Sequence, residues 1–300
     1  MHSPRLLTFF VRKRFLFLAY ASLAAVILGE LGRFYWLLEL FSHFVPLYAL
    51  LLSLGVCASF TTRSRLLFGL VATLLTGWML TPRTDAPVQT QQRFISYNLY
   101  INNPHIGTDL NWLEGQSADV VFLTEATPSM HIVQRLQAAY PHGCERLDDS
   151  PFGLILLSKQ ALKSCTVLQH GSLQDFPAIR AELDNGRIVY AIHPPPPISP
   201  YMATERDRVL QSIAAQVQSE QGEVLVMGDM NNTAFAPSFR QFLHTSSLKL
   251  QAPRAMPTWR PGLISIDHVL LRSKQAAAVS YGPMAGFRPP PRTGRLVTSL

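Results

Sequence analysis

Three hundred residues, 48% hydrophobic and 15% charged, suffice for one large domain, but the apolar residues crowd the front of the chain. The net charge of +7 is modest and belongs partly to basic residues flanking apolar runs, so it gives little support to a nucleic-acid-binding face. Of the three cysteines, Cys57 falls in an apolar run, while Cys144 and Cys165 lack the spacing of a zinc site and could pair only in an oxidising compartment.

The chain opens with three nearly continuous apolar runs, Phe15 to Leu31, Phe34 to Phe60 and Leu66 to Leu80. A bilayer core about 30 Å thick needs about 20 helical residues, so the second run spans comfortably and the others are marginal. A cleaved signal would show one short apolar core before a cleavage site, yet apolar sequence resumes twice after Gly29. Buried soluble helices would show a polar face, and Leu47 to Val56 offers only Ser53 and Gly55. Three membrane-spanning helices within residues 1–81 are therefore expected, making the lipid bilayer a partner. Arg5, Arg12, Lys13 and Arg14 precede the first run, and Arg63 and Arg65 separate the second from the third. Both clusters should be cytoplasmic, which with three spans places everything after Thr81 outside the cytoplasm; two spans would place it inside. Glu39 and His43, in the second run, are either an intramembrane polar pair with a function or groups near the outer interface or facing neighbouring helices.

Residues 82–92 are polar, contain two prolines and lack periodicity, as a linker does. The remaining 93–300 form the second domain. Strands are predicted at Arg93 to Tyr100, Ala118 to Thr124, Phe152 to Leu157, Ala178 to Leu183, Arg187 to Ile192, Glu223 to Met227 and Ile266 to Leu271. Helices are predicted at Thr108 to Gln116, Ser129 to Ala139, Ala203 to Ser219 and Pro237 to Thr245. This mixed order implies an α/β (α+β) fold: a four-layer sandwich of two mixed β-sheets packed face to face and flanked by helices. The alternating charges Glu205, Arg206, Asp207 and Arg208 read as a solvated, charge-paired helix face. No stripe of interleaved basic and aromatic residues marks a single-stranded nucleic-acid groove.

Several polar residues stand where apolar strands end and the chain leaves the sheet, so their side chains can converge at one rim. Asn98 ends FISYN, Glu125 ends VVFLTE, His193 ends VYAIH, Asp229 and Asn231 end VLVMGDMN, and Asp267 enters IDHVLL. Taken singly, Asn98 or Asn231 could shape a turn, Glu125 could be a solvated loop residue and His193 a structural imidazole. Gathered together, acid, amide and imidazole groups are what a divalent metal and a phosphate ester require.

In SYNL at 96–99, VVFLTE at 120–125, IHPPPP at 192–197, GDMNNT at 228–233 and PTW with IDHVLL within 257–271, the chain resembles the endonuclease/exonuclease/phosphatase superfamily. The likeness covers Arg93 to about Pro283, and the front end looks like one membrane-anchored bacterial branch of it. The resemblance implies Glu125 as the main ligand of Mg²⁺ or Mn²⁺, with Asn98 beside the metal and phosphate. It also implies that Asp229 orients or deprotonates the attacking water, Asn231 holds phosphoryl oxygens, and His193 assists the departing ester. Asp267 and His268 point to opposite faces of a strand, and the motif favours Asp267 as the one lining the site.

In the family Asp267 would pair with a histidine on a terminal Ser-Asp-His segment, yet in this chain no aspartate or histidine follows His268. Inserting one nucleotide into codons for Gly-Ser-Asp-His-Arg-Pro can yield Gly-Phe-Arg-Pro-Pro-Pro, the sequence of Gly286 to Pro291. A frameshift and a genuinely divergent tail are the alternatives, and resequencing decides between them. Two functions follow: a metal-dependent phosphoesterase of the membrane surface, acting on nucleic acid or a lipid-derived ester, or an inactive membrane scaffold that keeps the fold. Nothing in the sequence points to a protein partner.

Overall fold

The computed structural model describes residues 4–80, 92–259, 261–273, 278–281 and 295–299. The 82–91 part of the expected linker and Gly286 to Pro291 lie outside the described residues. By contact density the chain divides into two compact units.

The first unit is helical: α1 (Pro4–Glu30), α2 (Trp36–Glu39), α3 (Val45–Ala58) and α4 (Thr62–Met79), together with Thr233–Arg240 and Pro253–Ala255. The second apolar run is not one regular helix. It tightens to a 3₁₀ turn over Leu40–Phe44 before Pro46, whose missing N–H suits the first turn of α3. Ala19, Ala49, Leu52, Phe68, Ala72 and Leu75 pack together among the helices. Gly55 lets them approach: a Cβ there would lie 2.4 Å from that of Ala19. At one end, Arg12 donates to the carbonyls of Ala58 and Ser59 at 3.2 Å, and Arg65 also binds Ser59, satisfying the end of α3. Phe17, Ile27, Leu50, Leu66, Leu70 and Leu74 remain exposed. Two segments, Phe9–Arg33 and Trp36–Ala58, are long and apolar enough to cross a membrane. Three spans were expected, but the third corresponds to α4, which is not one of these two segments.

The second unit contains β1 (Arg93–Asn98), α5 (Ile106–Glu114), β2 (Val120–Thr124), α6 (Ile132–Leu136), β3 (His142–Arg146), β4 (Leu154–Ser158), β5 (Leu162–His170), β6 (Phe176–Leu183) and β7 (Ile188–Ile192). It continues through α7 (Pro200–Ser219), β8 (Val224–Asp229), most of α8 (Pro237–Ser246), β9 (Lys249–Leu250), β10 (Asp267–Arg272), β11 (Ala278–Tyr281) and β12 (Arg295–Ser299). One sheet runs β11-β12-β1-β2-β4-β3 and the other β5-β6-β7-β8-β10-β9. Both are mixed: β1–β2 and β7–β8 are parallel, and β1–β12 and β8–β10 antiparallel.

Side-chain alternation explains the layering. Phe94, Val120, Phe122, Leu154 and Leu156 face Ile179, Val189, Ala191, Leu225, Met227 and Val269 between the sheets. The intervening Ile95, Tyr97, Val121, Leu123 and Ile155 pack on Leu110 and Leu113 of α5 and Leu136 of α6. Strands buried on both faces read as continuous apolar runs, which is why these were visible in the sequence. On the other sheet, Arg272 of β10 donates to the Glu220 carbonyl at the end of α7, and Glu220 binds Arg180 of β6 and Tyr190 of β7. Ser199 caps α7, accepting from the Met202 N–H, and Pro200 sits at its first position. A disulfide joins Cys144 on β3 to Cys165 on β5, linking the two sheets.

The charged start of α7 differs from expectation in one respect. Arg206 binds Asp207 and Arg208 binds Glu205, but Glu205 and Arg206 are fully buried rather than solvated. Burial raises the Glu205 carboxyl, and the Ser172 N–H and hydroxyl with Arg208 outweigh it, leaving the pKa lowered.

Candidate active site

The sandwich joins four of the six expected residues, Asn98, Glu125, Asp229 and Asn231, in one hydrogen-bonded cluster and sets Asp267 beside it. Asn98 and Asp229 end β1 and β8, Glu125 follows β2, and Asp267 begins β10. Because β10 runs antiparallel to β8, Asp267 stands directly opposite Asp229 in the ladder. The Asn98 amide joins two carboxylates, its Nδ2 donating to Glu125 Oε1 at 2.8 Å and to Asp229 Oδ2 at 3.1 Å. Glu125 Oε2 accepts the Ile101 N–H at 2.8 Å, and Asp229 Oδ1 accepts the Asn231 N–H at 2.9 Å. Asn231 Nδ2 donates to the Pro194 carbonyl at 3.0 Å.

His193 meets this cluster through its neighbour Pro194 rather than directly. It is buried, its ring lies 6.0 Å from that of Phe152, and its Nδ1 is buried without a hydrogen bond. A donor or acceptor held out of water without a partner is costly, so Nδ1 is able to pair with a water or ligand atom.

The backbone carries strain at the same places. Glu125 and Asn231 adopt left-handed conformations with φ of 57° and 47°, which non-glycine residues keep only where the surroundings impose them. Gly228, before Asp229, has φ 144°, and a Cβ there would lie 2.0 Å from the Ile192 carbonyl oxygen. Only glycine lets β8 approach the end of β7 this closely.

Electrostatically the cluster gathers three acidic side chains, Glu125, Asp229 and Asp267. Burial, then the neighbouring charge of Asp229 and, more weakly, of Glu125, raise the Asp267 carboxyl well above the usual carboxylate range, against hydrogen bonds from Thr258 and the backbone. Thr258 Oγ1 also accepts the N–H groups of Ile266 and Asp267 at 3.0 Å, tying the PTW segment to the strand entry. That role was not read from the sequence, although the segment was singled out. Carboxylate and amide oxygens in a repulsive buried group are a donor set that suits a hard divalent cation. Among the described residues no three His, Cys, Asp or Glu side chains form a metal-holding group. A cation beside Glu125 would therefore complete its shell with Asn98, water and substrate oxygens, as Mg²⁺ commonly does.

His268 lies on the opposite strand face, as expected, fully buried with Nε2 2.8 Å from the Asn232 carbonyl oxygen. Burial lowers its pKa to about 4, against the Asn232 hydrogen bond and Asp229. A folded-state value below the ordinary 6.5 contributes stability that is full above pH 6.5 and is lost as pH falls towards 4. Acid unfolding of His268→Gln is therefore expected to show a shallower loss of stability across that window than the unsubstituted chain. Parallel curves would contradict a buried neutral imidazole.

The pattern of the Endonuclease/Exonuclease/phosphatase family matches residues 95–289, and the chain belongs to that family, whose members hydrolyse phosphate esters. The fold is shared with sphingomyelinase C from Streptomyces griseocarneus, with TM-score 0.52 and 14% identity over 69% of this chain and 98% of that one. It is likewise shared with the 3′ phosphatase NExo from Neisseria, solved with a product DNA hairpin, with TM-score 0.55 and 14% identity over 70% and 99%. An AP endonuclease from Archaeoglobus fulgidus gives TM-score 0.56 and 13% identity over 70% and 99%. No curated protein matches in sequence.

Proposed function

We propose that this chain is a membrane-anchored, metal-dependent phosphoesterase whose site is formed by Asn98, Glu125, His193, Asp229, Asn231 and Asp267. The observation that carries the reading is the Glu125–Asn98–Asp229 hydrogen-bonded bridge at the sandwich rim, with Asp267 opposite. Mg²⁺ or Mn²⁺ held by Glu125, when bound, would neutralise phosphoryl charge and stabilise the departing oxygen. Asp229, fixed by two amide donors, orients a water for in-line attack and accepts its proton. Asn231 offers phosphoryl oxygens the amide N–H that Pro194 does not take, and His193 donates to the leaving ester oxygen. Asp267, buried beside Asp229 and hydrogen-bonded to Thr258, is the acid that a histidine of the terminal segment would pair with.

Anchoring is supported by the two long apolar segments and the exposed leucines of α4, which together form three helices. Basic residues before α1 and between α3 and α4 favour a cytoplasmic location for that end, so three crossings, with α4 as the third, would put the hydrolytic domain outside the cytoplasm, and two would put it inside. The Cys144–Cys165 disulfide favours an oxidising compartment such as that bounded by a bacterial inner membrane. The fold neighbours include a sphingomyelinase and a DNA phosphatase, and tethering at a bilayer favours a lipid-derived ester over nucleic acid.

The test is to assay the full chain in detergent with Mg²⁺ against phospholipid vesicles, duplex DNA and inositol phosphates. Release of phosphate or headgroup from the lipid substrate, abolished by chelation and restored by Mg²⁺ or Mn²⁺, is the expected outcome. Hydrolysis that survives exhaustive chelation would contradict metal dependence.

A further inference from the structure

Glu39 and His43 interrupt an apolar stretch, are 2% and 7% exposed, and reach residues nearly two hundred positions later. The Glu39 carboxylate accepts both the N–H, at 2.8 Å, and the hydroxyl of Ser238. Ser238 is the second residue of α8, so its N–H is a first-turn donor the helix cannot satisfy itself. Glu39 thus acts as an N-terminal cap delivered from elsewhere in the chain, its negative charge set against the positive end of the helix. His43 Nδ1 lies 3.0 Å from Thr233 Oγ1, and Phe235 packs edge-on against Trp78 with ring centroids 5.0 Å apart. Gly32 permits the approach, because a Cβ there would lie 2.4 Å from the Glu39 Cα.

A carboxylate in apolar helical surroundings is expensive to keep, and its known benefit in this chain is what it does to Ser238. Thr233 follows Asn231 by two residues, so the position of the turn at Asn231, which has φ 47°, depends on how the chain is held on both sides. On the near side, Met230 N–H donates to the Ile266 carbonyl at 2.8 Å and Asp229 accepts from Asn231. On the far side, after the Asn232 carbonyl meets His268, the chain is held by His43 at Thr233 and by Glu39 at Ser238.

We propose that Glu39 and His43 are positioning residues for hydrolysis: by fixing Thr233 and Ser238 they hold the turn that presents Asn231. The inference rests on the reading of Asn231 as a phosphoryl-binding group.

The experiment compares the full chain in detergent with Glu39→Ala, Glu39→Gln and His43→Ala, using Glu30→Ala, which removes an exposed ion pair with Arg240, as control. Amide hydrogen exchange is read at Met230 and Asn231, and kcat and KM are measured with bis(4-nitrophenyl) phosphate and Mg²⁺. Glu39→Ala and His43→Ala are expected to speed exchange at Met230 and Asn231 by about fivefold, the effect of a lost cap. They should also lower kcat by about tenfold with KM nearly unchanged, since misplacement of a transition-state contact acts on kcat. Glu39→Gln, which keeps an accepting oxygen, should recover much of both, and Glu30→Ala should change neither. Faster exchange confined to α8, with Met230 and Asn231 unaltered, would show a local cap only and overturn the inference. Absence of turnover in the unsubstituted chain would count against the hydrolase reading, while exchange still decides this one.

Discussion

Glu125→Gln is expected to lower Mg²⁺-dependent hydrolysis by about 100-fold or more while leaving the fold intact, as checked by kcat/KM and thermal unfolding on the same preparation. Glutamine has nearly the shape of glutamate, so packing at the end of β2 survives. The carboxylate, however, accepts from Asn98 on one oxygen and from Ile101 on the other. An amide offers one accepting oxygen, so one of those N–H donors would face an NH₂ group. More important, removal of the formal charge would take away the anionic ligand proposed for the metal, and loss of one electrostatic contributor to a phosphoryl-transfer transition state costs about 100-fold to 1,000-fold. At 1.36 kcal/mol per tenfold, 100-fold corresponds to about 2.7 kcal/mol. A scaffold that merely keeps the fold would tolerate the change, so unaltered activity would exclude a catalytic Glu125.

Rebuilding the tail should act in the opposite direction and by at least as much. The quadruple substitution Phe287→Ser, Arg288→Asp, Pro289→His and Pro290→Arg is expected to raise kcat by about 100-fold to 1,000-fold. The family match runs through residue 289, and these four changes restore the Ser-Asp-His-Arg sequence that a one-nucleotide shift would have removed. The groups that act on Asp267 are Thr258, its own backbone, Asp229 and Glu125, all neutral or negative. A buried carboxyl in such company is raised towards its protonated form, whereas a histidine beside it would favour the carboxylate and be held in one orientation, as in acid–histidine pairs generally. Catalytic groups that work as a unit gain or lose together, so restoring both Asp and His matters more than either alone. Measurement of kcat on the unsubstituted and rebuilt full chains decides it; equal values would show that this tail already suffices.

Much of this architecture could be read in advance because its central strands are buried on both faces. β2, β4, β7 and β8 carry apolar side chains at nearly every position and β1 at alternate ones, and each of the polar residues Asn98, Glu125, His193 and Asp229 stands where a strand ends. The strands β11 and β12 were not foreseen, nor were β3, β5 and β9. The last three sit at or next to sheet edges with intermediate or exposed positions, and HGCER or LKSCTVLQH carries too little apolar signal to separate strand from loop. Sequence order could not show that Asn98 bridges Glu125 and Asp229, since that depends on parallel pairing of β1 with β2 and on the packing of the two sheets. The same holds for Glu39 and Ser238, which are 199 residues apart and joined by no periodicity. His193 was identified by its place after β7, but its orphaned Nδ1 emerges only from the packing around it.

Locating a bound Mn²⁺ by its anomalous scattering in crystals of the full chain tests the central claim most directly. The expected result is a single strong site coordinated by the Glu125 carboxylate, within reach of Asn98 and absent in Glu125→Gln. A manganese site elsewhere on the protein, with none at Glu125 under saturating conditions, would contradict the assignment of this rim as a metal-dependent phosphoesterase site.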